Sequence, residues 1–248
     1  DIYYSLNPEF KKKPKEEVGP LDQIWTSPHY KQNIPYLITK YRNKNIKIAP
    51  YLWDDIFIKK QFNELKINDN FQEFKSKIDI ASVTVFEPNI SFTKTSLIPI
   101  NIVERFEQIN PKLIQKCNVI CGKELTKNEY FPWLISNTDI YNKRKNFLKC
   151  HQRRPFLYSV YKWGGMVISN QILNELNYIY LESLYLSLPL IHNSEIIKNY
   201  GYYYESFDVI KAAEHIEYIL KEHKNNINKY DKKNKYLFKK FSPRNSKN

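Results

Sequence analysis

The chain has 248 residues with a formal net charge of +13, and its 42% hydrophobic and 15% aromatic content can bury the cores of one large or two medium domains. That composition excludes a disordered chain, and no apolar run reaches the roughly 18 residues of a membrane span. The excess of Lys and Arg leaves three partner classes open: nucleic acid, a membrane surface, or an anionic substrate.

Residues 1–19 are polar and Lys-rich (Lys11, Lys12, Lys13, Lys15) and read as irregular. Asp22 to Thr26 reads as a short strand stopped by Ser27 and Pro28. Ile34, Leu37, Ile38 and Tyr41 then recur at helical spacing, and Lys47 to Pro50 reads as a second strand. Together these make one β-α-β unit, too small to be stable without a larger sheet. Trp53 to Asp79 reads as a charged connection with a little helix, and a domain boundary is expected near residues 76–79. This divides the chain into 1–78 and 79–248.

A clear new start follows. Ala81 to Phe86 alternates and is β-branched, as a strand should be. A helix is expected from Ser96 to Ile109, with Pro99 tolerated in its first turn. Cys117 to Cys121 reads as the second strand, Leu125 to Trp133 stays ambiguous, and Thr138 to Lys149 is partly helical. Phe156 to Val160 is predicted to be a strand. Met166 to Ile168 is a strand, followed by a polar turn, a helix carrying Glu182, and a strand over Leu188 to His192. Tyr202 to Tyr204 is extended. Asp208 is placed to cap a helix with the apolar stripe Val209, Ala213, Ile216 and Leu220. The Lys-rich end (Lys232, Lys233, Lys235, Lys239, Lys240) reads as a solvated helical tail. The alternation β-α-β-α-β predicts an α/β protein with a Rossmann-like, doubly wound parallel sheet.

In such sheets ligands bind outside the carboxyl ends of the strands, where helix N-termini offer free N–H groups to a phosphate. Three clusters fall there. Pro88 to Lys94 places a lysine before a helix. Asn174 to Tyr178 offers backbone N–H groups to a diphosphate, and the carboxylate of Glu182 can accept two ribose hydroxyls. His192, Asn193, Ser194 and Glu195 form the third, in which His192 reads as structural. Arg153 and Arg154 either add positive potential to the crevice or are plain surface charge. The three cysteines (Cys117, Cys121, Cys150) match neither a disulfide framework nor a zinc pattern. With five glycines the chain has no GxGxxG or Walker loop.

These residues resemble the C-terminal, donor-binding domain of GT-B glycosyltransferases of the retaining, glycogen-synthase-like kind. The family's Arg-x4-Lys pair corresponds to Asn89-x4-Lys94, and its Glu-x7-Glu motif to Asn174-x7-Glu182, with Glu175 one place out of register. LSLPLIHNSE, with Pro189 and Glu195, is similar to the family's Pro-Val-Val segment and the Glu after it, and Gly201 fits its following glycine. SPHY, IAPYLWD and FEPN…KTSLIP are similar to a branch of these enzymes in bacteria and large DNA viruses. The resemblance implies transfer of a sugar from a nucleoside diphosphate sugar to an acceptor hydroxyl. The donor would be held by Asn89, Lys94, Asn174, Glu175, Leu176, Asn177, Glu182, Asn193, Ser194 and Glu195. No catalytic base is assigned, and neither a cofactor nor a metal is expected. Residues 1–78 would be the end of an N-terminal, acceptor-side domain, most of it missing or supplied by a partner chain. Two other readings stay open: a non-catalytic remnant that binds or assembles, favoured by Asn89 and Asn174, and a basic nucleic-acid binder. With no leader or span visible in the sequence, a cytoplasmic location is expected, the host cytoplasm if the protein is viral.

Overall fold

A computed structural model describes residues 20–66, 74–75, 77–91, 93–123 and 125–245; the Lys-rich opening lies outside them. The chain forms two compact units, residues 1–50 and 51–248. In the first, β1 (Ile24–Thr26) and β2 (Ile46–Ile48) pair in parallel around a 3-10 turn and helix α1 (Ile34–Tyr41). This is the expected β-α-β unit.

The second unit opens with α2 (Ile56–Glu64), then β3 (Ser82–Val85), α3 (Leu97–Ile109) and β4 (Lys116–Val119). Two short helices, α4 (Tyr130–Ile135) and α5 (Asp139–Asn142), lead to β5 (Leu148–Cys150). There follow α6 (Phe156–Trp163), β6 (Met166–Ile168), α7 (Tyr178–Tyr185), β7 (Leu190–His192), β8 (Tyr202–Tyr203), α8 (Val209–Glu222) and α9 (Ile227–Phe241). All six strands of this unit pair in parallel, in the order β5-β4-β3-β6-β7-β8. The chain winds outward from β3 to β5, returns to β6 beside β3, and winds out again. That reversal is the signature of a doubly wound sheet.

Period-two alternation sends Val83, Val85, Cys117, Val119, Met166 and Ile168 to one face, where α3 and α8 close a core around Phe106 and Ile216. On the other face Val167 and Leu190 meet Leu157, Leu181, Leu184 and Leu237 from α6, α7 and α9. The segment Trp53 to Asp79, read from sequence as a connection, contributes Trp53, Ile58, Phe62 and Phe74 to this second core. In α9 Leu237 and Phe241 are buried while the lysines face outward.

Two elements differ from expectation. Phe156 to Val160 is not a strand but the start of α6. Its aromatic and β-branched residues suit either state. Burial at Phe156, Leu157 and Val160 follows a helical face, and Gly164 at φ 121 ends the helix. A Cβ on Gly164 would lie 2.4 Å from Ser82 Cβ, so only glycine lets the chain enter β6 there. The strand β5 was not anticipated. It is a three-residue strand held in register by β4, and its isolated sequence carries little periodicity. The ambiguous Leu125 to Trp133 resolves into a 3-10 turn and α4.

A buried carboxylate serves as the cap that α5 lacks. Thr138 makes no side-chain cap, and Glu104 on α3 instead accepts hydrogen bonds from the N–H groups of Asp139 (2.9 Å) and Ile140 (3.0 Å). Glu104→Ala leaves both donors without their acceptor, that of Ile140 buried, and its expected cost is about 2 kcal/mol. Denaturant titration checks this, and a midpoint equal to the parent's would refute the capping role.

Candidate functional site

The sheet reverses direction between β3 and β6, so the loops leaving those two strands flank the crevice. Pro88 stops β3 because it cannot continue the ladder. Asn89 then adopts a left-handed conformation (φ 57), which asparagine tolerates better than most residues. Its side chain is fully used within the turn. Oδ1 accepts from the Ser96 N–H at 2.8 Å, capping α3, and Nδ2 donates to the Glu87 carbonyl at 2.8 Å. The Asn89 N–H donates to the Lys94 carbonyl at 3.0 Å, closing the loop that presents Lys94. The Ile172 N–H donates to the Thr93 carbonyl at 3.0 Å, tying this loop to the one after β6.

Beneath Lys94 lies Glu87, 1% exposed. Ser169 Oγ donates to one carboxylate oxygen and Gln171 Nε2 to the other at 3.1 Å. The Asn170 N–H is a third donor. Tyr180 on α7 extends the chain, its hydroxyl 2.9 Å from Ser169 Oγ, and Tyr204 donates to the Ser169 carbonyl at 2.9 Å. Burial pushes the Glu87 carboxyl up to about 7, against the pull of Ser169, Gln171, Lys94 and Asn170. Burial also lowers the Lys94 ammonium, an effect that Glu87 opposes. The switch point therefore carries a half-buried cation over a buried carboxylate.

The helix after β6 starts at Asn177, whose side chain accepts from the Ile179 N–H at 3.1 Å. One turn on, Glu182 is mostly buried, and burial alone lifts its carboxyl to about 7. No described residue bonds or pairs with it. Its neighbours one helical turn away are anchored aromatics: Tyr178 stacks on Tyr51 (centroids 5.0 Å apart), and Tyr185 donates to Asp55 at 2.8 Å.

The remaining expected residues fall in different places. Asn174 is buried and donates to Gln171 Oε1. Asn193 clamps the main chain of Gln171, accepting from its N–H at 3.0 Å and donating to its carbonyl at 3.0 Å. Ser194 Oγ donates to the Glu175 carbonyl. The Leu176 side chain joins the second core, and Glu195 is exposed, paired with Lys198 at 3.2 Å and with Tyr203. His192 is structural as expected: Nε2 donates to the Tyr200 carbonyl at 2.8 Å, Nδ1 accepts from the Ser194 N–H at 3.1 Å, and burial lowers it to about 4. Arg153 and Arg154 are exposed beyond β5, with Arg153 near Cys121.

Glu87, Ser169, Gln171 and Tyr180 were missed from the sequence. The available hints were a lone acid between an apolar strand and a proline, and a polar triplet directly after Met166 to Ile168. All three cysteines are unpaired. Among the described residues no three His, Cys, Asp or Glu side chains group as metal ligands, and no helix is long and apolar enough to cross a membrane.

The fold is that of GT-B Rossmann-like domains. A UDP-forming α,α-trehalose-phosphate synthase from Burkholderia vietnamiensis is similar with a TM-score of 0.60 and 9% identity, over 88% of this chain and 57% of that one. S. aureus TarM matches with a TM-score of 0.58 and 11% identity, over 89% and 41% of the two chains. Anabaena Alr3699/HepE, solved with UDP-glucose, matches with a TM-score of 0.54 and 11% identity, over 87% and 59%. The chain thus spans 41% to 59% of the length of these structures. No curated protein matches it. Residues 10–248 match the family described as "Protein of unknown function (DUF2827)", and the chain belongs to that family.

Proposed function

We propose that this chain binds a nucleoside diphosphate sugar at the switch point of its sheet and forms the donor half of a glycosyltransferase. The observation that carries the reading is the occurrence, on adjacent βα junctions, of Lys94 near Glu87 and of the mostly buried carboxylate of Glu182, which has no partner among the described residues. A lysine held in a partly dry crevice suits a diphosphate, because its charge is poorly screened there. The Ser96 hydroxyl at the start of α3 is buried and makes no hydrogen bond among the described residues. Glu182 can accept both ribose hydroxyls, and these would supply the partners it lacks. In transfer, the bond from the sugar's anomeric carbon to the diphosphate oxygen breaks and a bond to the acceptor oxygen forms. Lys94 and the surrounding N–H groups would stabilise the departing diphosphate. No acceptor and no base is assigned, and a retaining outcome rests on the family resemblance alone.

A second reading, donor binding without transfer, is favoured by Asn89 and Asn174. Both stand where the family has charged residues, and both are consumed by internal hydrogen bonds. Calorimetric titration with UDP, ADP and GDP tests the shared claim. One of them is expected to bind saturably, and Lys94→Ala is expected to weaken it at least about tenfold, the loss of a charged contact. Absence of binding for all of them at about millimolar concentration would refute the donor site. Binding without turnover of the corresponding nucleotide sugars would leave the second reading.

A further inference from the structure

The face of the sheet opposite the first core is polar over half its width. One row of register partners runs Lys149–Asn118–Thr84–Val167–Leu190 across β5, β4, β3, β6 and β7. A second pairs Lys116 with Ser82. The apolar end of the first row is packed in the second core, while α6 lies against β3. A doubly wound sheet normally reads as apolar on both faces. Lys116 and Asn118 on β4, a strand with neighbours on both sides, break that rule with no gain in packing. Such breaks mark functional positions.

Over this half lies a cavity of about 350 Å³ whose lining includes Lys116, Asn118, Lys149, His151, Lys162 and Trp163. Its floor is built. Asn118 is 1% exposed, and its Nδ2 donates to the carbonyls of Trp163 (3.0 Å) and Val83 (3.4 Å). That fixes its Oδ1 toward His151 Nε2 at 2.9 Å, so Nε2 carries the proton and Nδ1 is the other polar atom of the ring. The ring stacks on Trp163 with centroids 4.0 Å apart. None of Lys116, Lys149 and Lys162 forms an ion pair among the described residues. Lys77 and Asp79 complete the charged lining, and Asp79 accepts from the Ala81 N–H at 2.7 Å. The cavity begins at the amino ends of β3 and β4, away from the switch point at their carboxyl ends.

We propose that this cavity is a second, anion-binding site for a small phosphate-bearing molecule, either inorganic phosphate or a phosphate ester of sugar size. Three lysines that pair with no carboxylate among the described residues line it, from β4, β5 and α6, with Lys162 donating to the neutral Tyr158 hydroxyl at 3.0 Å, and one aspartate does not offset them. The volume of about 350 Å³ admits a molecule of sugar-phosphate size. His151 reports occupancy. Burial, Lys149 and Lys162 hold its pKa below the ordinary value. An anion among Lys77, Lys116, Lys149 and Lys162 relieves that repulsion and raises it. This site does not depend on the donor reading.

Titration of the full chain at low salt, with inorganic phosphate and with glucose 6-phosphate as separate probes, tests the proposal. At least one is expected to bind saturably, and the two arms tell free phosphate from an ester. Lys116→Ser combined with Lys149→Ser is expected to weaken binding at least about tenfold, whereas Lys94→Ala leaves it unchanged. The double variant is expected to keep its UDP affinity. The His151 ring resonances should titrate at higher pH when the probe is bound. Absence of saturable binding by either probe, or binding indifferent to the double variant, would overturn the proposal. So would an oligonucleotide that binds through the same lysines while both phosphates fail.

Discussion

Glu182→Gln is expected to weaken nucleoside diphosphate binding by about 10- to 100-fold while making the folded chain more stable above pH 7. Both effects have one cause. The carboxyl is mostly buried with no partner among the described residues, and burial lifts it from 4.5 to about 7. A folded-state acid raised above its unfolded value favours the protonated form, so the folded chain holds the extra proton between the two values. Its contribution to stability is therefore greatest below about 4.5, declines as pH rises toward about 7, and is flat above. Glutamine cannot ionise and escapes that decline. The variant should match the parent at about pH 4 and exceed it by about 1–2 kcal/mol at pH 8, a figure reduced for the water that still reaches the group. In binding the sign reverses, because only the ionised carboxylate accepts from two ribose hydroxyls. Parental affinity should rise relative to the variant's as pH passes through about 7. Thermal melts at both pH values and UDP titrations across the range check this. An unchanged dissociation constant would remove Glu182 from the site, and equal stability at pH 8 would show its carboxylate satisfied. A residue whose loss stabilises the fold while impairing binding is what a functional site produces.

Glu87→Ala should be the most damaging single change at the switch point. It strands the Ser169 hydroxyl, the Gln171 amide and the Asn170 N–H, all on buried residues, without their acceptor. Removing one partner from a buried charged network costs about 3–5 kcal/mol. The same carboxylate opposes the loss of charge that burial imposes on Lys94. Nucleotide affinity should therefore fall with stability. Glu87→Gln keeps the volume and one acceptor oxygen, and should cost less on both counts. Urea titration and calorimetry on the two variants separate the effects. A Glu87→Ala midpoint within about 1 kcal/mol of the parent would show that the network does not hold the loops.

The elements that carry the candidate site were legible in part, and for local reasons. Asn177 and Asp208 cap their helices through hydrogen bonds spanning two and three residues. Met166 to Ile168 and the stripe Ala213–Ile216 declare themselves by period. Lys94 and Glu182 stood out because a lysine precedes a helix and a glutamate sits among leucines. Asn89 looked like a weakened phosphate ligand; it proved to be the turn residue that orders Lys94, a role visible only once its left-handed backbone was known.

By itself, then, the sequence determined most of the alternation of strands and helices and the parallel doubly wound sheet. Each of these follows from periodicity, capping and turn chemistry acting over a few residues. The tertiary structure decided the rest: α6 in place of a strand, β5 as an edge, the carboxylate under Lys94 and the polar half of the sheet. Those outcomes depend on partners far apart in the chain. Ser169 is 82 residues from the Glu87 it holds, and His151 is 33 from Asn118. A short aromatic or charged segment takes whichever state its distant neighbours can cover, and no local pattern records which neighbours those will be.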